Sequence, residues 1–257
     1  ADELEEIWQT VLLQQFHDIL PGSSIAWVHR EAEANYGRVL ERLEAITARS
    51  LAALAGDGST DLVVNSAPVV LEGVAPFSAV EAPAPDEAPA VRATGDPASG
   101  LVLDNGVLRV TFDADAHIAS LVDLRADREV IPAGRVGGLL QLHNDRPSMY
   151  EAWDIDAHIR RRTDDVTTAD SVSVVESSDD AVTIEVVRSF RDSSVVQRVT
   201  LARGSDALRF VLDIDWHEQR TLLKLAFPTD VLTDRAASEC AFGYHWRTTH
   251  TNTSWDM

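Results

Sequence analysis

The stretch Leu208-Arg209-Phe210-Val211-Leu212-Asp213-Ile214-Asp215-Trp216, "LRFVLDIDW", decides the fold class. Leu208, Phe210, Leu212, Ile214 and Trp216 alternate with Arg209, Val211, Asp213 and Asp215. A two-residue period sends the first set to one side of a β-strand and the second to the other, as in a sheet with one buried face. Residues 182–190 and 195–201 are two further strand-like runs, separated by polar turns. Upstream, Asp104-Asn105-Gly106 is a turn signal, and residues 107–112 after it have strand propensity. No helical period interrupts this part of the chain, so a large antiparallel β-sandwich is expected over residues 101–257.

The first sixty residues follow a different pattern. Leu4, Ile7, Trp8, Val11, Leu12, Phe16, Ile19 and Leu20 recur at steps of three and four, which predicts one amphipathic helix ended by Pro21-Gly22. Ser23 or Ser24 is placed to cap the next helix. A second periodic run, from Ile25 through Val28, Ala32, Tyr36, Val39, Leu43 and Ile46 to Leu54, stops at Gly56-Asp57-Gly58. Two long amphipathic helices joined by a tight turn read as a hairpin from an antiparallel bundle, and alone they cover little of each other's apolar surface. Next come two short strand-like runs at 62–65 and 69–73. Pro76, Pro83, Pro85, Pro89 and Pro97 then mark an extended connector or loosely attached edge strands. The expected organisation is α+β: a helical hairpin over 1–58, short strands and a Pro/Ala-rich connector over 59–100, and the sandwich over 101–257.

At 257 residues and 45% hydrophobic, the chain can bury a real core in one large domain or two ordinary ones. Its formal charge of −20 repels phosphate backbones and anionic bilayers, which argues against nucleic acid and membrane surfaces as partners. No apolar run approaches the ~18–20 residues of a membrane helix. Cys240 is alone, so no internal disulfide forms, and the acidic opening Ala1-Asp2-Glu3-Leu4-Glu5-Glu6 is the opposite of a secretory leader. A cytoplasmic location fits both features.

Residues 15–25 read "QFHDILPGSSI", with two ionisable side chains adjacent in an apolar run. On a helical wheel at about 100° per residue, His17 falls off the main stripe and shares a face with Thr10, Leu13 and Leu20. Asp18 lies one step round, so the two side chains are not expected to face each other. One reading is a histidine set favourably against a helix C-terminal dipole, beside a solvated aspartate. The other is a metal ligand or substrate contact turned toward another domain. His29 is the nearest further histidine, and no HxxxH or CxxC pair is present, so a metal here would draw its other ligands from elsewhere. Tyr150 and Trp153 beside Asp154 and Asp156 have the composition of a sugar platform, in which an aromatic face stacks on a pyranose and carboxylates take its hydroxyls. A tryptophan buried at a strand corner with satisfied aspartates reads equally well. Arg160-Arg161-Arg162 reads as a solvated turn or salt-bridged face.

Four motifs in order resemble glycoside hydrolase family 38, the retaining α-mannosidases, in its bacterial and cytosolic-type branch. "QFHDILPGSSI" is the first. The second is Asn105-Gly106-Val107-Leu108-Arg109-Val110 with Ile118, Ser120-Leu121, Asp123 and Arg128-Glu129-Val130, similar to the start of that family's β-domain. The third is Asp145-Arg146-Pro147 with residues 150–155, similar to "DxP…YDAWDI"; the fourth is residues 249–256, similar to "RPTHxNTSWD". Thr248 stands where the family pattern has proline, which puts the local turn in question.

The resemblance implies a galactose-mutarotase-like sandwich and a hairpin that belongs to a three-helix bundle. It makes His17 a zinc ligand and Asp18 a contact to substrate hydroxyls, and it favours Tyr150 as a substrate-binding residue, with Trp153 and Asp154 expected beside it. Family members carry the nucleophile, the acid/base group and the other zinc ligands in a catalytic domain ahead of the bundle. The chain is therefore expected to be an internal fragment with no catalytic residue of its own, inert alone and without zinc until joined to that domain. Its implied substrate is a mannose-containing glycan, hydrolysed by double displacement. Two alternatives stand beside this: an autonomous carbohydrate-binding module of mutarotase type, and a structural segment whose hairpin packs or forms homo-oligomers. An exposed His17 beside a wide apolar patch favours a partner domain.

Overall fold

The computed structural model describes residues 2–71, 73–82, 88–150, 155–240 and 243–253. The chain divides into two compact units, residues 1–85 and 86–257.

In the first unit, helix α1 (Asp2–Gln14) is followed by helix α2 (Ala26–Ala55). The helices run antiparallel, as their ion pairs show: Glu3 meets Arg49 at 3.3 Å, and Glu6 meets Arg42 at 3.0 Å. Ile7, Ala32 and Val39 are buried in this unit. Gly56 closes α2 as expected, at φ +65° with its amide donating to Ala52 O at 3.1 Å.

The expected extension of α1 to Leu20 does not occur. Gln15 and Phe16 donate to Leu12 O and Leu13 O, three residues back, and a separate turn follows in which Ile19 and Leu20 donate to Phe16 O. Three-residue bonds tighten and end a helix. Leu12, Leu13, Phe16 and Leu20 are each more than half exposed, so no buried face holds 15–20 in helical register. Nor does Ser23 or Ser24 cap α2: Ile25 takes the N-cap position and makes no side-chain cap bond.

Strand β1 (Leu62–Asn65) pairs antiparallel with β2 (Ser78–Glu81). Residues 69–71 form no strand ladder, only an isolated bridge between Leu71 and Val74. The buried Asn65 amide accounts for this, because the two Nδ2 hydrogens are shared among the carbonyls of Val69, Val74 and Ala75 that a neighbouring strand would otherwise satisfy.

The second unit is antiparallel β throughout its described strands. β3 (Arg92–Asp96), β4 (Gly100–Asp104), β5 (Leu108–Phe112), β6 (Ile118–Asp123) and β7 (Arg128–Glu129) form one sheet in sequence order. β8 (Leu139–Asn144) lies between β9 (Thr163–Val166) and a later strand in a three-stranded sheet. β10 (Ser171–Ser177), β11 (Ala181–Phe190), β12 (Ser193–Ala202) and β13 (Leu208–Asp215) make a four-stranded meander. β14 (Thr221–Ala226) returns to β8, and β15 (Arg235–Cys240) pairs with β16 (Gly243–Thr248).

The meander is the centre of the packing. On β12 burial alternates strictly, with Val195, Val199 and Leu201 almost wholly excluded from solvent. At one end of this inward face Val182, Ile184 and Leu201 pack with Leu103, Val110 and Phe112 of the five-stranded sheet. At the other, Phe190 and Val195 pack with Leu140, Leu142 and Val166 of the three-stranded sheet. The expected sandwich is present, with one sheet opposed by two. Arg188 and Gln197 lie between the two apolar clusters on the same inward face. The Arg188 Nη2 donates to Asp115 O. Burial pushes its guanidinium down, opposed by the carboxylates of Asp115, Asp113 and Asp170.

The alternation in 208–216 is realised less fully than its pattern implies. Leu208, Phe210 and Leu212 are half-buried, while Ile214 is 46% exposed. Among the described strands β13 lies at an edge, hydrogen-bonded to β12 alone, so its apolar face is covered from one side only.

Candidate functional site

His17 and Asp18 lie in the turn segment between α1 and α2. Since residues 15–20 are not helical, the expectation that these side chains point apart fails: His17 Nε2 is 3.5 Å from Asp18 Oδ2. Asp18 Oδ1 also accepts from Ser23 Oγ at 3.4 Å, which ties the turn across the Pro21-Gly22 break. The Phe16 ring lies against the imidazole, with centroids 4.2 Å apart and planes tilted by 39°. The imidazole remains 75% exposed, among the outward-facing Leu13, Phe16 and Leu20. His29 is engaged elsewhere, its Nε2 3.2 Å from Ser24 O.

A zinc centre takes about three protein ligands from nitrogen, sulfur and carboxylate donors. Among the described residues no three His, Cys, Asp or Glu side chains are grouped to hold a metal ion. His17 offers an accessible imidazole nitrogen with the Asp18 carboxylate beside it, part of a donor set of the kind zinc takes.

In the second unit Tyr150 is 65% exposed and takes φ +56°, a left-handed conformation uncommon for an aromatic residue. Trp153 and Asp154 lie outside the described residues. Asp156, read in sequence as one more carboxylate beside them, is occupied in holding its loop. Its Oδ2 accepts from the Ser148 amide at 2.8 Å and the Ser148 hydroxyl at 2.7 Å. Those bonds, and the charge of His158 nearby, hold its carboxyl below the usual value. Arg162, the last of the arginine run, has an 82% exposed side chain with Nε 3.7 Å from Asp164, as a solvated, salt-bridged turn requires.

Arg146, Arg162, Arg191 and Arg220 share one cavity wall. Arg162 stands out in the sequence as part of the arginine run and Arg146 as part of Asp145-Arg146-Pro147, but nothing local links them to each other or to Arg191 and Arg220; it is the meeting of three loops that brings the four together.

Residues 103–257 match the family model described as glycosyl hydrolases family 38 C-terminal domain, and residues 1–54 that of the alpha mannosidase middle domain. Alpha-mannosidase 2C1 of Homo sapiens is 31% identical over the whole chain, which covers 27% of that protein. The same-named protein of Mus musculus is 30% identical with the same coverage. Alpha-mannosidase of Saccharomyces cerevisiae (strain ATCC 204508 / S288c) is 27% identical, again over the whole chain and over 25% of its own length. The chain thus spans about a quarter of the length of the curated relatives it matches.

Proposed function

Because the chain belongs to glycosyl hydrolase family 38, we propose that it is the middle-to-C-terminal portion of a zinc-dependent retaining α-mannosidase, to which His17 supplies one metal ligand and Asp18 a contact to substrate hydroxyls. One observation carries this reading. The motif of residues 15–25 presents an imidazole that is 75% exposed, set in a surface patch of Leu13, Phe16 and Leu20, each more than half exposed. An isolated hairpin gains nothing from leaving those side chains in water, at about 25 cal/mol for each Å². A partner domain laid over them would meet His17 and Asp18 at its edge. The same exposure weighs against the autonomous module.

A zinc ion held by such residues would supply Lewis acidity toward sugar hydroxyls. The chain's own part is narrower. His17 offers an exposed ring nitrogen, and neutral imidazole is a common metal ligand. Asp18 is held by Ser23 with its second oxygen toward His17, placed to accept from a hydroxyl. The two carboxylates of a retaining mechanism, about 5–5.5 Å apart, belong to a domain outside this chain. Tyr150, Trp153 and Asp154 complete the proposal as substrate contacts, with a terminal α-mannose unit of a glycan as substrate. We place the enzyme in the cytoplasm, supported by the one free, exposed Cys240.

The test is His17→Ala in the full enzyme, read by zinc content and by hydrolysis of an aryl α-mannoside. Both should fall at least about a hundredfold, beyond the ~10–100-fold typical of groups that only support a ligand. The 257-residue chain alone should show no turnover with added zinc. A variant that keeps stoichiometric zinc and its normal rate removes His17 from the centre.

A further inference from the structure

Where the β8–β14 ladder ends, the second unit opens a cavity of about 410 Å³ whose wall carries Arg146, Arg162, Arg191 and Arg220, with His158 and Asp164. The chain as a whole is −20, with only 22 Lys and Arg residues, so four guanidiniums on one wall stand out against the acidic background. Arg191 is anchored: Nη2 donates to Asp164 Oδ2 at 2.9 Å, and Nη1 to Thr221 Oγ1 at 3.2 Å and Glu218 Oε2 at 3.5 Å. Arg162 Nε approaches the other Asp164 oxygen at 3.7 Å. Glu218 is also engaged by the Asp192 amide and the Ser193 hydroxyl, and His158 by Asp156 at 3.5 Å. Among the described residues Asp164 thus pairs with Arg162 and Arg191, and Glu218 with Arg191, while Arg146 adds a further guanidinium to the wall. Arg191 and Arg220 both hold left-handed backbone, at φ +51° and +49°. Glycine or asparagine is easier there, so backbone preference does not account for arginine at either position.

We propose that this cavity binds a phosphate group, free or carried on a sugar. Guanidinium is a rigid planar fork that meets phosphate oxygens in pairs, and several forks converging from different loops surround a tetrahedral anion better than a planar carboxylate. The volume leaves room beside the anion for the sugar that carries it. This site rests on the cavity alone and is independent of the zinc reading of His17.

The experiment titrates inorganic phosphate into the ¹⁵N-labelled full chain at low ionic strength, with sodium chloride of matched ionic strength as control. Further arms use a hexose 6-phosphate and the neutral hexose. Saturable shifts should centre on the amides of Asn144, Gln219 and Thr221, with a Kd of about 1 mM or below that weakens at least about fivefold in Arg146→Gln and in Arg162→Gln. Tighter binding of the hexose phosphate than of phosphate assigns a phosphorylated sugar; equal affinity assigns the free anion. The proposal is overturned by equal shifts with chloride, by the same shifts from neutral hexose, by no saturation up to about 20 mM phosphate, or by unchanged affinity in both variants. The shift map of the unaltered chain decides the matter even if a variant fails to fold.

Discussion

Asn105 is wholly buried and uses both ends of its amide. Nδ2 donates to Ala202 O at 2.7 Å and Ser205 O at 2.8 Å, and Oδ1 accepts from the amides of Val107 and Leu108 at 3.0 and 2.8 Å. One side chain thus locks the β4–β5 turn to the β12–β13 turn. Asn105→Ala would leave several backbone groups unpaired, at about 1–3 kcal/mol each, so a loss of about 3 kcal/mol or more is expected in urea denaturation. A loss under about 1 kcal/mol would show that water replaces the amide without penalty. At Glu129 burial pushes the carboxyl up, but the Ser120 hydroxyl and the amides of Ile131, Leu121 and Val130 outweigh it and leave it below its ordinary 4.5. A depressed acid binds fewer protons folded than unfolded, so its stabilisation is full above pH 4.5 and is lost as pH falls through the folded value. Glu129→Gln should flatten the decline in stability below about pH 4.5, measured by denaturation at stepped pH. An equally steep decline in the variant would assign the acid sensitivity to other carboxylates.

β12 and β13 are read from sequence by the same alternation, yet they occupy different places in the meander. Leu201 on β12 is fully excluded from solvent, whereas Ile214 on β13 is nearly half exposed. A strand flanked on both sides has its apolar row covered by neighbours in its own sheet as well as by the opposing layer, and an edge strand loses half of that cover. Leu201→Ala should therefore destabilise by about 2–5 kcal/mol, and Ile214→Ala by less than about 1.5 kcal/mol. Similar losses at the two positions would mean that the edge is covered in solution.

The two units differ in how much apolar surface each conceals. The β unit holds two apolar clusters with many side chains at or near zero exposure, while in the helical unit Trp8, Leu12, Leu13, Phe16, Leu20 and Trp27 are each more than half exposed. Local opening is easiest where few buried contacts oppose it. Hydrogen exchange of the chain should show the α1 amides exchanging at least about tenfold faster than those of β11 and β12. Equal protection in a monomer would indicate that the hairpin is stable by itself, and would weaken the case for a domain laid over it.

Periodicity and turn chemistry were enough to place α2 with its Gly56 stop, the Asp104-Asn105-Gly106 turn and the three meander strands. In each case the cause lies within a few residues: the backbone period directs side chains to a face, and glycine takes a left-handed turn at little cost. Outcomes that depend on what covers a face were not legible in this way. α1 stops at Gln14 because nothing buries the stripe beyond it, and that break, not the helical wheel, brings His17 to Asp18. Arg146, Arg162, Arg191 and Arg220 meet only because β8, the β11–β12 turn and the approach to β14 end at one place. A local pattern specifies where a side chain points from its own backbone; burial, pairing and charge at a site depend on which distant backbone arrives there, and that is decided only when the sheets close.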